Sequence, residues 1–317
     1  MYTVTDIRIF ADIRFFIRKE AYVMKNTIFE GAGTAIITPL TEKGVDYDSF
    51  GKLIDWQLAQ GIDAIVVAGT TGEGSTLTDD EHKEVISYCV KRVANKVPVI
   101  AGTGSNDTAY AIELTKYACD AGVDGVLLVT PYYNKATQNG LIKSFAAIAD
   151  IATKPCFLYN VPSRTGCNLL PKSIAALAEH PMITALKEAS GNISQIVETA
   201  ALCGDQIDIY SGNDDQVIPI LSLGGKGVIS VLSNIMPKET SEMCKKFFAG
   251  DVAGAAKMQF DYLPLINALF CEVNPIPVKA ACAAMGFGEN YLRLPLTPME
   301  EAHAQALYGL MREQKLI

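Results

Sequence analysis

Ile183-Thr184-Ala185-Leu186-Lys187-Glu188-Ala189-Ser190-Gly191 opens as a short apolar run and closes in small, polar turn residues. A buried parallel strand meets its loop in this way. Lys187 stands at the carboxyl end of the run, beside Ala185 and Leu186. A charged and unpaired amine is costly there. Burial lowers the pKa of a lysine and frees its amine as a nucleophile. The plainer alternative is a lysine whose stem lies along the strand end while its head reaches water. The surrounding sequence decides between the two.

The same pattern recurs on both sides of this stretch. Runs rich in Val, Ile and Leu fall at Thr34–Ile37, Ala64–Ala68, Val97–Ala101, Gly125–Val129, Cys156–Tyr159, Ile183–Leu186, Ile207–Tyr210 and Gly227–Leu232. Small or polar residues follow each run, then an amphipathic helical stretch. The spacing fits one strand-plus-helix unit. Eight such units predict an α/β fold, a (β/α)8 TIM barrel, over a doubly wound open sheet.

Helix punctuation agrees. Thr78-Asp79-Asp80-Glu81 is a capping box. Asp46, Asn106-Asp107 and Thr137 mark other starts, Pro171 sits in a first turn, and His180-Pro181 stops that helix. Asn213-Asp214-Asp215 reads as a helix start, with the two aspartates as cap and dipole compensation. After the eighth run the chain is helical at Lys238–Phe248, Val252–Leu269, Pro277–Met285 and Met299–Gln314, with a kink expected at Pro264. A barrel takes about 250 residues, so the remainder forms a C-terminal helical appendage. The expected organisation is an extension over 1–23, a barrel over 24–235, and a last barrel helix plus C-terminal helical region over 236–317. The extension mixes charges with Ile and Phe, which interrupts any secretory core. It reads as non-native or disordered, against a rival in which a short amphipathic element docks on the barrel.

Composition narrows the chemistry. The 317 residues carry a net charge of −8, which argues against a nucleic-acid partner. The apolar runs are strand-length and too short for a membrane span. Eight scattered cysteines without a Cys-x-x-Cys read as reduced core thiols of a cytoplasmic protein. Three histidines, far apart in sequence, offer no metal motif.

In a barrel of this kind the site is built from loops at the carboxyl ends of the strands. After the second run, Gly69-Thr70-Thr71-Gly72-Glu73-Gly74 reads as an anion cradle at the front of a helix, suited to a carboxylate; it lacks a nucleotide loop's Lys-Ser/Thr ending. After the fourth comes Thr130-Pro131-Tyr132-Tyr133-Asn134, and paired tyrosines at a loop tip are commonly packing or interface residues. After the fifth, Tyr159 can face the barrel mouth, and Arg164 lies further out, where its planar fork could take a carboxylate. A nucleophilic amine, an anion cradle and a phenol together suggest metal-free imine chemistry on a 2-oxo acid.

These stretches, with Tyr159–Gly166, Lys187–Gly191, Gly227-Val228-Ile229-Ser230-Val231 and Asn274-Pro275-Ile276-Pro277-Val278-Lys279, resemble in order the motifs of the 4-hydroxy-tetrahydrodipicolinate synthase (dihydrodipicolinate synthase) family. The resemblance runs from about Thr27 to the C-terminus. It implies a class I condensation of pyruvate with L-aspartate 4-semialdehyde at the start of lysine biosynthesis, without a cofactor. By that resemblance Lys187 would form the Schiff base and Thr71 would hold the pyruvate carboxylate. Thr71, Tyr133 and Tyr159 would relay protons, with Thr70 beside them. Arg164 would meet the carboxylate of the aldehyde, and the backbone at Gly212 and Ile229 would line the pyruvate pocket. Tyr133 would come from a neighbouring subunit, so a homo-oligomer is expected: a dimer at least, and usually a tetramer. Lys279 reads as a helix-surface residue.

Two alternatives are separable. Another lysine-dependent pyruvate aldolase, such as N-acetylneuraminate lyase, has no need of an arginine at Arg164. A silent metabolite-binding relative would trap no pyruvate under borohydride. The family's lysine-inhibition cleft, between subunits and away from the imine site, is matched at Ser75, His82, Asn106 and Tyr132. Tyr110 stands where lysine-sensitive relatives have a glutamate, and Asp79 where some have a histidine. Asp79 is expected to cap its helix. The loss of the glutamate predicts weak or no feedback by lysine.

Overall fold

The structure is a computed structural model and describes residues 27–317. The expectations for residues 1–23 lie outside the described residues. Eight parallel strands close into a barrel with each strand paired to its sequence neighbours. They are β1 Gly31–Ala35, β2 Ala64–Val67, β3 Val99–Gly102, β4 Gly125–Val129, β5 Cys156–Asn160, β6 Ile183–Glu188, β7 Asp208–Ser211 and β8 Gly227–Ser230. Helices follow in turn: α1 Tyr47–Ala59, α2 Asp79–Val93, α3 Thr108–Asp120, α4 Gln138–Ala149, α5 Pro171–Ala178, α6 Ile193–Cys203, α7 Val217–Ser222 and α8 Pro237–Phe248. Three more, α9 Val252–Ala268, α10 Ile276–Ala284 and α11 Glu301–Glu313, make the appendage. Among the described residues no helix is long and apolar enough to cross a membrane.

The larger core lies between barrel and helices, and a smaller one fills the barrel itself. Phe29 closes the amino-terminal end. Its ring stacks on Tyr210 at 4.4 Å, and Tyr210 donates its hydroxyl to Phe29 O at 2.6 Å. The first strand begins earlier than the Thr34–Ile37 run suggests. Gly31 and Gly33 look like poor strand formers, yet Gly31 pairs with Gly227 across the β1–β8 seam. A Cβ on Gly227 would lie 1.8 Å from Gly31 O, so the barrel closes there only without a side chain. Ile36 and Ile37 run on, buried, past the strand end.

Thr78 caps α2 as the box predicts, with Glu81 reaching back to its N–H. Asp46, Asp107 and Thr137 cap α1, α3 and α4. α9 runs on through Pro264 as one helix. Seven of the eight cysteines are buried and Cys271 is exposed, and they form no disulfide among the described residues.

Candidate active site

Strands β5 and β6 bring Tyr159 and Lys187 to the same level of the barrel mouth, as register partners. Both side chains are buried, and Lys187 Nζ lies 4.3 Å from the centroid of the Tyr159 ring. Burial holds the Lys187 amine down to about 7; Asp214 opposes that shift and Arg164 adds to it. Tyr159 is pushed above the ordinary phenol range by burial, with Arg164 and a hydrogen bond from Thr70 opposing. A buried amine near neutrality beside a phenol can attack a carbonyl and exchange protons locally.

Asp214 corrects the expectation of a helix cap. It starts a short 3-10 turn, and its Oδ2 reaches across to accept from Val231 N and Leu232 N, both at 2.9 Å. Its backbone carbonyl accepts from Gln259 Nε2 of α9 at 2.7 Å. Burial raises the pKa of this carboxyl, its hydrogen bonds and Lys187 oppose that rise, and the carboxyl in turn raises that of Lys187; no sequence pattern near it signals this. Gly212, just before it, is packed against the lysine. A Cβ there would meet Ala189 Cβ at 2.7 Å and Lys187 Cε at 3.1 Å. Ile229 is fully buried in the inner barrel core with Tyr159 and Ala189.

The Gly69–Gly74 loop is not the front of a helix. α2 begins only at Asp79, and two of the loop's N–H groups are used inside the turn: Glu73 N donates to Thr70 O and Gly74 N to Gly69 O, both at 3.1 Å. The two threonines diverge. Thr70 hydrogen-bonds Tyr159, whereas Thr71 is buried and accepts from Asn274 Nδ2 at 3.1 Å. The side-chain hydrogen bond to the phenol thus comes from Thr70, while Thr71 meets Asn274.

Arg164 lies on the short helical turn Pro162–Thr165 and donates through Nη2 to Asn274 O at 3.1 Å. Lys279 is no surface residue. It is buried in α10 and ion-paired with Glu73, both side chains 1% exposed. The sequence carries a motif around Asn274 and Lys279 but no sign of these partners.

A cavity of about 530 Å³ opens over the mouth. Thr70, Tyr159 and Arg164 form part of its wall, which continues to Ser75, Asp79, His82, Tyr110 and Tyr132. Thr70, Tyr159 and Arg164 therefore share one cavity with five of the expected regulatory positions, while Lys187 and Thr71 do not line it. Asp79 is the first residue of α2, not its cap, and it hydrogen-bonds Tyr110, whose hydroxyl is pushed up by burial and then by that contact. His82 Nε2 pairs with Gly102 O at 2.9 Å, and burial lowers its pKa. Asn106 stands apart from the cavity wall and offers its carbonyl to Asn134 Nδ2 at 2.8 Å. Tyr133 also stands apart, 91% exposed, with a φ of 70° that a bulky side chain seldom adopts. Within one chain it does not join Tyr159. Glu272, Glu300 and His303 are the one grouping of potential metal ligands among the described residues, and they lie on the C-terminal region.

Residues 28–314 match the dihydrodipicolinate synthetase family. The chain is 56% identical to 4-hydroxy-tetrahydrodipicolinate synthase of Lachnoclostridium phytofermentans over 292 residues, 92% of this chain and 99% of that protein. The crystal structure of dihydrodipicolinate synthase from Thermotoga maritima superposes with a TM-score of 0.90 at 42% identity, covering 92% of this chain and 100% of the other. The chloride-inhibited enzyme from Acinetobacter baumannii, complexed with pyruvate, superposes with a TM-score of 0.89 at 43% identity over the same shares.

Proposed function

The chain belongs to the dihydrodipicolinate synthetase family, and from that premise we propose that Lys187 is the amine that forms a Schiff base with pyruvate. Its activity is that of a 4-hydroxy-tetrahydrodipicolinate synthase, a step of lysine biosynthesis. Pyruvate is a substrate. The observation that carries the assignment of roles is Lys187 Nζ, buried and 4.3 Å from the Tyr159 ring centroid.

The neutral amine attacks the keto carbon of pyruvate, and loss of water gives the imine. Removal of a methyl proton gives the enamine, whose carbon attacks the aldehyde of aspartate 4-semialdehyde. The amine of that substrate then adds to the imine carbon and displaces Lys187 as the ring closes. The sum is pyruvate plus the semialdehyde giving the cyclic product plus water. Tyr159 moves the protons, with Thr70 as its hydrogen-bonded neighbour. Thr71 holds the pyruvate carboxylate. Gly212 leaves the lysine side chain its room, and Ile229 backs the pocket. Arg164 takes the carboxylate of the second substrate from the cavity wall.

Tyr133 completes the relay from a neighbouring subunit, which requires a homodimer at least, with a tetramer as the fuller assembly. The exposure of Tyr133 and its left-handed backbone support this reading. A cytoplasmic location is supported by eight cysteines that are not joined in disulfides among the described residues. Ser75, Asp79, His82, Asn106, Tyr110 and Tyr132 mark the regulatory cleft.

Borohydride reduction with pyruvate, followed by mass mapping, tests the central assignment. The reduced adduct should map to Lys187 and vanish in Lys187→Ala. An adduct on Lys279 or any other lysine would overturn it. Turnover with aspartate semialdehyde, and none with N-acetylneuraminate, separates this reaction from that of a sugar-acid lyase.

A further inference from the structure

Asn274 stands where two parts of the site meet. Its side chain is buried, and Nδ2 donates to Thr71 Oγ1 at 3.1 Å. Its backbone carbonyl accepts from Arg164 Nη2 at 3.1 Å. The segment that carries it runs into α10, which is tied to the Thr71 loop by the buried Lys279–Glu73 pair. Arg293 N adds a bond to the second Glu73 oxygen at 3.2 Å. The amide is therefore held against the threonine from the C-terminal region, 203 positions away in the chain.

A threonine hydroxyl has one proton and two lone pairs. An N–H donor that takes a lone pair leaves the proton free for another acceptor. A hydroxyl that donates to a carboxylate makes a charge-assisted bond, roughly twice as strong as a neutral one. An acceptor in the same place would consume that proton.

We propose that Asn274 is a positioning residue that sets the Thr71 hydroxyl as a donor toward the carboxylate of pyruvate, while its backbone independently steadies Arg164. This rests on the role of Thr71 given above. The amide nitrogen acts on the first substrate through Thr71, and the carbonyl acts on the second through Arg164. A change of side chain at Asn274 alters the first and spares the second.

The test uses the full chain with initial rates, trapping of the pyruvate adduct at Lys187, and melting curves for Asn274→Ala and Asn274→Asp. In Asn274→Ala the half-saturating pyruvate concentration should rise about tenfold, the scale of one hydrogen bond to a charged group. That for aspartate semialdehyde should stay within about twofold, because the carbonyl bond to Arg164 survives. Asn274→Asp, nearly isosteric, should be worse than Ala, since its carboxylate takes the Thr71 proton and repels the substrate anion. A merely structural amide would give the reverse order. Thr71→Val with Asn274→Ala should be no worse for pyruvate than Thr71→Val alone. Additive losses, or an aspartate milder than the alanine, overturn the proposal; the aspartate variant carries the comparison if the alanine truncation loosens the fold. A wild-type protein that forms no pyruvate adduct at Lys187 overturns the reading of the site itself, and this proposal with it.

Discussion

Tyr159 and Lys187 are partners on neighbouring strands, and the amine lies 4.3 Å from the centre of the phenol ring. An aromatic face favours a charged amine. Burial acts the other way and prevails, since the pKa sits near 7 rather than near the ordinary lysine value. The phenol is pushed in the opposite sense, toward keeping its proton. The pair therefore holds a free nucleophile and a proton donor side by side.

Only the unprotonated amine attacks a carbonyl, so imine formation should rise with pH through about 7 and level off above it. Asp214 raises the Lys187 pKa and Arg164 lowers it. Asp214→Asn should move the acid limb to lower pH, and Arg164→Ala should move it to higher pH. Stopped-flow trapping of the pyruvate adduct across pH reads both shifts. A limb unmoved in both variants would remove the electrostatic account.

Tyr159→Phe should leave the fold intact and cut turnover by roughly 10²–10⁴, as for a general acid–base group. Thr70→Val should fall in the same direction by less. Tyr133→Phe should lose activity too, and mixing it with Lys187→Ala subunits should restore part of it. No recovery after confirmed subunit exchange would count against a shared site.

Arg164→Ala should impair use of aspartate semialdehyde more than formation of the pyruvate imine. The outer position of Arg164 in the cavity wall motivates this. The two half-reactions are measured separately, by adduct trapping and by full turnover. Equal damage to both would assign Arg164 a structural role.

Lys279→Met should destabilise the fold by roughly 3–5 kcal/mol, because it strands the Glu73 charge in the interior. Glu73→Leu together with Lys279→Met should recover much of that loss, since apolar replacement of a buried pair is often neutral. Thermal melts of the single and double variants decide. A double variant as weak as Lys279→Met alone would show that the pair itself is the stabilising element.

Lysine should inhibit weakly or not at all. Tyr110 supplies no charge for an ammonium group, and Asp79 is engaged with the Tyr110 hydroxyl. Losing one partner of a buried charge pair costs about 2–5 kcal/mol. The measurement is a lysine titration of the initial rate at subsaturating pyruvate. Half-inhibition below about 1 mM, an affinity near 4 kcal/mol, would mean that Asp79 turns to the ligand instead.

The barrel and the mouth-facing Lys187 and Tyr159 were legible because strand, turn and helix signals are local. Asp214 looked like a cap for the same reason: an aspartate before a helix has that local pattern, while its partners Val231 and Leu232 come from the next strand's end. Lys279 looked exposed because its partner, Glu73, is 206 positions away. Periodicity cannot report such a pairing. Which of Thr70 and Thr71 meets Tyr159 and which meets Asn274 depends on the way each residue of one turn points, and spacing leaves that open. Asn106 and Tyr133 are similar cases, since a loop residue's facing is set by tertiary packing.

The clasp between Glu73 and Lys279 has a bearing on biosynthesis. Ribosomes deliver the nucleophile-bearing strand well before they deliver α10. While α10 is still in the exit tunnel, the Thr71 loop lacks both Asn274 and the lysine that secures Glu73. The Thr71 loop can thus gain these two partners only after all eight strands of the barrel have been made. The clasp on Glu73 and the contact of Asn274 with Thr71 are therefore among the last parts of the mouth that synthesis makes available.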